Sequence, residues 1–338
     1  MALIGAGMVA GTHIAACRAA APSVVLCGLM ARRAERARAL AAETGLAAGP
    51  GFRVYDSVAE IAADPGVDFV IVATPPDARA ALIAPLAAAG KPVLLEKPVG
   101  RDLAEAEALV AICEAAGVSL GVVFQHRMRR ASQQAAALMA SGAPGALALA
   151  EIRVPWWRGQ GYYDEPGRGT YARDGGGVLI TQAIHPLDLA LSLTGPVTAV
   201  QAMTATTRLH RMEAEDFATA GLRFANGAVG SVMASTASFP GGAEAIHLHC
   251  EKASLALEGG MLRVRWRDGR EESFGAEAGS GGTADPHKAV IEDFARAIVT
   301  GQPPAATGRA ALEVHRLIDA IGWSARHGRL WTAEEAGT

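Results

Sequence analysis

The sequence lacks an excess of positive charge. Its 31 lysines and arginines face 34 aspartates and glutamates, for a formal net charge of −3. A nucleic-acid or membrane-surface binder would need a basic excess, so no such partner is expected. Cysteine is sparse too. Cys17, Cys27, Cys113 and Cys250 are scattered with no CxxC spacing, which reads as buried thiols in a reducing cytoplasm. No metal site is expected. The start of the chain has no cationic stretch ahead of an apolar one, so no signal peptide is read. No apolar run approaches the roughly 18 residues of a membrane span. These absences make a cytoplasmic protein the expectation. Charged residues are 19% of the chain and hydrophobic ones 50%, a balance that excludes a disordered chain. The 338 residues suggest two domains with ample core.

What the sequence does have is glycine, 39 residues of 338, which calls for tight turns and close backbone approaches. Strand and helix signals alternate over the first 124 residues. Strands are expected near 3–4, 24–31, 68–73, 92–95 and 118–124, and helices near 9–20, 32–45, 78–89 and 103–116. Uninterrupted apolar strands between helices predict a doubly wound parallel sheet covered on both faces. After a helix near 130–139 strands dominate: 147–154, 198–206, 217–224, 228–235, 246–250, 255–257 and 262–266. Asn226-Gly227 and Glu258-Gly259-Gly260 are read as turns between strands. One helix, 177–193, interrupts the strands, and two more, 287–299 and 309–326, close the chain. Residues 275–283 read as a mobile loop. The expected architecture is α/β, with a dinucleotide-binding domain over 1–124 and a second α/β domain over 125–338. The second domain carries a large, open, mostly antiparallel sheet, and the last helices are free to pack back on the first domain.

Gly5-Ala6-Gly7-Met8-Val9-Ala10 fits G-x-G-x-x-[GA] between a strand and a helix. Gly5 permits the turn, Gly7 lets backbone approach a pyrophosphate, and Ala10 allows close helix–strand packing. The anion would sit at the helix N-terminus over Met8 and Val9. Only four residues precede Gly5, so the first strand is either short or continues upstream. An acidic residue for the adenosine ribose is expected about 20 residues on. Arg32 and Arg33 stand there instead, and guanidiniums suit a 2′-phosphate. NADP is therefore the expected cofactor, with NAD as the alternative.

Glu96-Lys97-Pro98 follows a strand at the carboxyl edge of the sheet, where such folds bind ligands. A lysine there can stabilise a developing alkoxide, and Pro98 can fix the geometry, including through a cis bond. Gly175-Gly176-Gly177 precedes a helix with Thr181 and His185 at i, i+4 and Asp188 three residues on. The glycines would let backbone pass close to a ligand. His185 suits proton exchange with an alcohol, and Asp188 is placed to orient it.

Taken together, GAGMVA at the start, TPPD at 74–77, EKP at 96–98 and GGGVLITQAIHPLD at 175–188 resemble the Gfo/Idh/MocA oxidoreductase family. Later stretches agree: Glu215-Asp216-Phe217, Phe224-Ala225-Asn226-Gly227 and Asp293-Phe294. The resemblance covers nearly the whole chain. It implies a nicotinamide cofactor, small-molecule substrates that are mostly sugars, cyclitols or related hydroxy compounds, and a homodimer or homotetramer. It also implies that Lys97 polarises the reacting oxygen, Glu96 approaches the nicotinamide ribose and Thr74 and Pro75 line the cofactor. His185 would be the general acid/base, and Trp157-Arg158 would lie near the nicotinamide. The segment 156–170, with Tyr163, would border the substrate, and its arginines hint at an anionic group.

The chain departs from the pattern at Thr181, where many members carry Asp. Thr holds no charge at neutral pH, which leaves His185 as the proton handler. Arg79 stands where His is common and reads as neutral. The expected function is hydride transfer between nicotinamide and a secondary alcohol or ketone. The alternatives are redox-assisted glycoside cleavage with tightly bound NAD, and a non-catalytic cofactor sensor. Val229, Val232 and Ala234 are read as one apolar sheet face that invites burial against another subunit.

Overall fold

The computed structural model describes residues 1–46, 51–275 and 285–334. Of the expected loop at 275–283, all but Gly275 lies outside the described residues. Contacts divide the chain into two compact units. Unit 1 comprises Met1–Gly100, Ala104–Gln125 and Gly282–Leu312, and unit 2 comprises Arg101–Leu103, His126–Gly281 and Glu313–Thr338.

Unit 1 is built on six parallel strands: β1 (Ala2–Ile4), β2 (Gly28–Met30), β3 (Arg53–Tyr55), β4 (Val70–Val72), β5 (Val93–Leu95) and β6 (Leu120–Val122). Their order is β3-β2-β1-β4-β5-β6, so the topology reverses between β1 and β4 and opens a crevice at the carboxyl ends there. The helices are α1 (Ala10–Ala19), α2 (Ala34–Glu43), α3 (Val58–Ala63), α4 (Arg79–Ala88) and α5 (Leu103–Ala115). The β3–α3 pair escaped the sequence reading because both elements are too short to show a period. Ser57 nevertheless caps α3, accepting from the Glu60 amide, while Glu60 reaches back to the Asp56 amide, close to a capping box. The central strands are buried on both faces, with Val70, Ile71, Val72, Val93 and Leu95 all at 0% exposure. The helix Asp285–Thr300 belongs to this unit and packs on α1. Its Phe294 meets Phe69 edge to face at 5.4 Å and fills the space over Gly121, where a Cβ would stand 2.6 Å from the Phe294 ring.

Unit 2 contains α6 (Arg130–Ala140), β7 (Leu147–Pro155), α7 (Gln160–Tyr163), α8 (Tyr171–Asp174), a π-helical turn over Leu179–Ala183 and α9 (Ile184–Thr194). Strands β8 (Val197–Ala205), β9 (Phe217–Phe224), β10 (Val229–Ser235), β11 (Ala245–Cys250), β12 (Ala253–Glu258), β13 (Met261–Trp266), β14 (Glu271–Gly275) and β15 (Trp331–Thr332) follow. They join β7 in a nine-stranded sheet of order β14-β13-β12-β11-β7-β10-β9-β8-β15. All its pairings are antiparallel except β7 with β10. Both expected turns form. Gly227 takes φ +86° at the end of a three-residue loop, and Gly259 and Gly260 both take positive φ, as a two-residue hairpin turn demands. The helix Gly308–His327 starts in unit 1 and ends in unit 2.

Three expectations change. Helix 177–193 is not one α-helix but a π-turn followed by α9. Pro186 has no N–H to give, and its ring crowds the carbonyl four residues back at Gln182; a wider turn over 179–183 relieves both problems. Val229, Val232 and Ala234 do not share a sheet face. Side chains alternate along a strand, so Val229 is 48% exposed whereas Val232 and Ala234 are buried at 1% and 0%. The helical run Tyr171–Thr194 is long and apolar enough to cross a membrane by length and composition, but 89% of its most apolar window is buried inside the protein, as in a core helix.

The four cysteines are free, three buried and Cys27 half-buried. Burial pushes the Cys17 thiol up to about 12 and that of Cys113 to about 11, so neither is a ready nucleophile. Phe294→Ala is expected to lower the unfolding free energy by about 3–5 kcal/mol in chemical denaturation, through the cavity it leaves beside Phe69 and Gly121.

Candidate active site

The carboxyl ends of β1 and β4 meet through main-chain contact. The Gly5 amide donates to Met30 O at 2.8 Å, and the Ala73 amide donates to Ile4 O at 2.7 Å. Gly5 has φ +123°, and a Cβ there would stand 2.5 Å from the Ala73 carbonyl oxygen. Two residues on, a Cβ on Gly7 would meet nothing within 4 Å, so the turn is packed tight behind and open in front. Ala10, at 0% exposure, allows the helix to close on the strand. Helix α1 begins after Val9 with no side-chain cap, which leaves its first-turn amides to an anion. Met8 and Val9 are 75% and 36% exposed at this mouth. After β4, the buried Thr74 hydroxyl has no hydrogen-bond partner among the described residues, and Pro75 leads into a short 3-10 turn at Pro76–Ala78. An open glycine cradle, uncapped amides and an orphaned hydroxyl fit a dinucleotide. Arg32 and Arg33 follow β2 and are both exposed.

Arg79, read from sequence as neutral, has a definite task. It is 1% exposed and donates to Thr74 O at 3.2 and 2.8 Å and to Val99 O at 3.3 Å. Burial pulls its guanidinium down to about 10, against the opposing pull of Glu96 and Asp77. One buried cation thus ties the loop after β4 to the loop after β5. The latter carries Glu96 and half-buried Lys97, and its Lys97–Pro98 peptide is cis.

The Glu96 carboxylate, expected at the nicotinamide ribose, has partners inside unit 1. Oε1 accepts from His13 Nε2 at 2.8 Å and Oε2 from the Lys97 amide at 3.1 Å. Burial alone would raise this carboxyl. The His13 hydrogen bond and attraction to His13, Lys97 and His287 outweigh burial and hold it below its usual value. The His287 ring stands edge-on to His13 at 5.5 Å.

In unit 2, His185 sits in the first turn of α9 and is 7% exposed. Its ring stacks on that of His126 at 4.8 Å with a 24° interplanar angle. His126 lies between Arg129, 2.6 Å from Nε2, and Glu244, 3.2 Å from Nδ1. Asp188, expected to orient His185, is held by Arg127. Arg127 takes both its oxygens, Nε to Oδ2 at 2.7 Å and Nη2 to Oδ1 at 2.6 Å. Burial pushes the Asp188 carboxyl up, and Arg127 pulls against that shift.

Thr181 lies in the π-turn, so it is not one α-helical turn from His185. Its hydroxyl approaches Gly177 O at 2.6 Å and the Gln182 side chain. Two of the glycines ahead of it, Gly175 and Gly177, lie pressed against protein backbone. A Cβ on Gly175 would stand 2.2 Å from Arg101 O, and one on Gly177 1.7 Å from Glu215 O. The Glu215 carboxylate accepts from the Gly177 and Leu179 amides at 3.2 and 3.1 Å, and burial raises it. Tyr163, expected at the substrate, is 7% exposed, and its hydroxyl is 2.6 Å from that of Thr236. Trp157 bridges to Ala237 and meets Phe239 edge to face at 5.4 Å. The Arg158 guanidinium lies over the rings of Trp156 and Tyr162 at 5.7 and 5.5 Å.

Sequence reading missed Arg79, His13, His126, Arg127 and Glu244. The available signal for His13 was its position in α1 on the side facing the sheet. For the others, the contacts Arg79–Val99, Arg127–Asp188 and Glu244 with His126 and Arg129 join residues far apart in sequence.

The chain matches known proteins along its length. The family model described as the oxidoreductase family with NAD-binding Rossmann fold covers residues 1–124, and the GFO/IDH/MocA C-terminal domain covers 132–256. D-apiose dehydrogenase of Paraburkholderia graminis is 30% identical, the match spanning 97% of this chain and 88% of that protein. The 1,5-anhydro-D-fructose reductase of Ensifer adhaerens is 30% identical over 67% of this chain and 66% of its own. Among solved structures, the WlbA dehydrogenase of Bordetella pertussis in complex with NADH and UDP-GlcNAcA superposes with a TM-score of 0.82 at 30% identity, covering 98% of this chain and 97% of that one.

Arg127→Met is expected to cost about 3–5 kcal/mol of stability in urea titration, because it strands a buried carboxylate. Arg127→Met with Asp188→Leu is expected to recover most of that loss; a double variant as weak as the sum of its singles would mean the two groups are not coupled.

Proposed function

The chain belongs to the Gfo/Idh/MocA family of NAD(P)-dependent oxidoreductases, and we propose that it acts on a secondary alcohol of a sugar, or on the matching ketone. The observation that carries this reading is the glycine turn over β1 and β4, closed behind by Ala73, open at Gly7 and bordered by the orphaned Thr74 hydroxyl. When bound, the nicotinamide cofactor supplies the hydride acceptor or donor. The chain's own work is to position and to manage charge and protons. Lys97 binds the reacting oxygen and offsets its developing negative charge. His185 takes or returns the hydroxyl proton. Thr181 holds no charge at neutral pH, which leaves His185 as the proton handler. The relatives named for D-apiose and 1,5-anhydro-D-fructose support a sugar as substrate.

Two finer assignments belong to the same reading. The exposed Arg32 and Arg33 favour NADP through its 2′-phosphate. A homodimer or homotetramer in the cytoplasm fits the free thiols and the exposed apolar side chains on one sheet face, where Leu149, Met203 and Val229 are 36%, 58% and 48% exposed.

The test is NAD(P)H absorbance during incubation with D-apiose, 1,5-anhydro-D-fructose and a panel of sugars and cyclitols. Turnover with at least one is expected. Lys97→Ala and His185→Ala are each expected to lower kcat/KM more than about tenfold, roughly 1.4 kcal/mol of transition-state stabilisation. Variants within about threefold would contradict the assigned roles. The Arg32→Ala/Arg33→Ala pair is expected to raise KM for NADP about tenfold or more while leaving NAD nearly unchanged. Tighter binding of NAD than NADP by the unsubstituted protein in calorimetry would refute the preference.

A further inference from the structure

The loop between β8 and β9 carries a histidine that the reaction above does not use. The side chains of His210 and Asp216 are both 0% exposed. Nδ1 of His210 lies 2.7 Å from Asp216 Oδ2, and Nε2 lies 2.7 Å from the Arg158 carbonyl oxygen. A backbone carbonyl can only accept. The carboxyl group already accepts from the Thr207 amide at 2.8 Å and the Thr207 hydroxyl at 2.7 Å, the pattern of an ionised carboxylate. With Asp216 ionised, each ring nitrogen of His210 has to donate, and a histidine that donates from both is an imidazolium.

The surroundings suit a cation. The Tyr163 ring centroid is 4.9 Å from that of His210 and the Trp157 centroid 5.6 Å, within reach of a cation–π attraction. The charged and titratable groups that face it are Asp216 from its own loop, Tyr163 from α7 and Arg158 from the segment after β7. The Arg158 side chain turns instead to Trp156 and Tyr162. The Arg158 amide donates to Thr236 O at 2.9 Å, so its peptide units are tied on one side to the sheet and on the other to the histidine. A neutral ring would leave one bare nitrogen facing an oxygen lone pair across 2.7 Å, and one of the two ties would open.

We propose that His210 is a buried imidazolium clamp, held by Asp216, that fixes the main chain at Trp157–Arg158. It is a positioning residue for those two side chains, an inference that rests on their assignment to the nicotinamide end of the cofactor.

Nitrogen-15 labelling of histidine tests the charge directly. At about pH 7, where an ordinary histidine is mostly neutral, the ring signals that vanish in His210→Gln are expected to show hydrogen on both nitrogens. One bare nitrogen overturns the clamp. Binding tests the positioning. His210→Ala is expected to weaken NADH about tenfold while leaving ADP-ribose, which lacks the nicotinamide, unchanged. His210→Gln, which keeps one N–H in reach of the Arg158 carbonyl, is expected to regain part of the NADH affinity. Equal losses for both ligands, or no loss for either, overturn the positioning role. Inert Lys97→Ala and His185→Ala substitutions would sink the proposed reaction but would not move the nitrogen signals, so the two failures are distinguishable.

Discussion

Main-chain contact too close for a Cβ is the constraint on which both units depend. In unit 1 the turn after β1 presses Gly5 onto the Ala73 carbonyl, and in unit 2 Gly175 and Gly177 press onto the carbonyls of Arg101 and Glu215. Each contact joins chain segments far apart in sequence and sets where a loop begins. A side chain at any of these positions would force backbone apart, not just a flexible neighbour. The residues with chemical potential, Thr74 on one side and Thr181 and His185 on the other, sit just past these contacts and inherit their placement.

Buried charge is the second organising element, and four buried groups show how it is held rather than left to the apolar interior. Glu96 has His13, Asp188 has Arg127, Asp216 has His210, and Arg79 has three hydrogen bonds to two backbone carbonyls. Burying two ions together adds little net stability, but removing one partner is costly. Such pairs therefore act as registration devices. Arg79 fixes the loops after β4 and β5 together, so Thr74 and the Glu96–Val99 segment are held as one piece. Arg127 fixes the start of α9, and His210 the segment after β7.

Much of this fold was legible in the residues. The apolar runs at 70–72 and 93–95, the glycine turn at 5–7 and the Asn226-Gly227 hairpin follow from local rules, because strand burial and positive φ leave a signature in residue type. The β3–α3 pair did not, because three and six residues are too few for a period to appear. The Arg127 partner of Asp188 went unread for a different reason. Spacing on a helix places His185 and Asp188 near each other, but a carboxylate goes to the strongest donor that folding brings to it, and Arg127 is 61 positions away. The π-turn at 179–183 shows a local cause, Pro186, whose consequence was not drawn.

Residue order alone therefore determined the alternation of strand and helix, the glycine turn for a dinucleotide and the candidates Lys97 and His185. These depend on neighbours within one turn, one strand or one motif. Tertiary structure alone decided which buried charge meets which, that Arg79 is a tie between loops rather than a bystander, and that both ring nitrogens of His210 face an oxygen. Those outcomes depend on which donors and acceptors share a space without water, and linear spacing does not encode that.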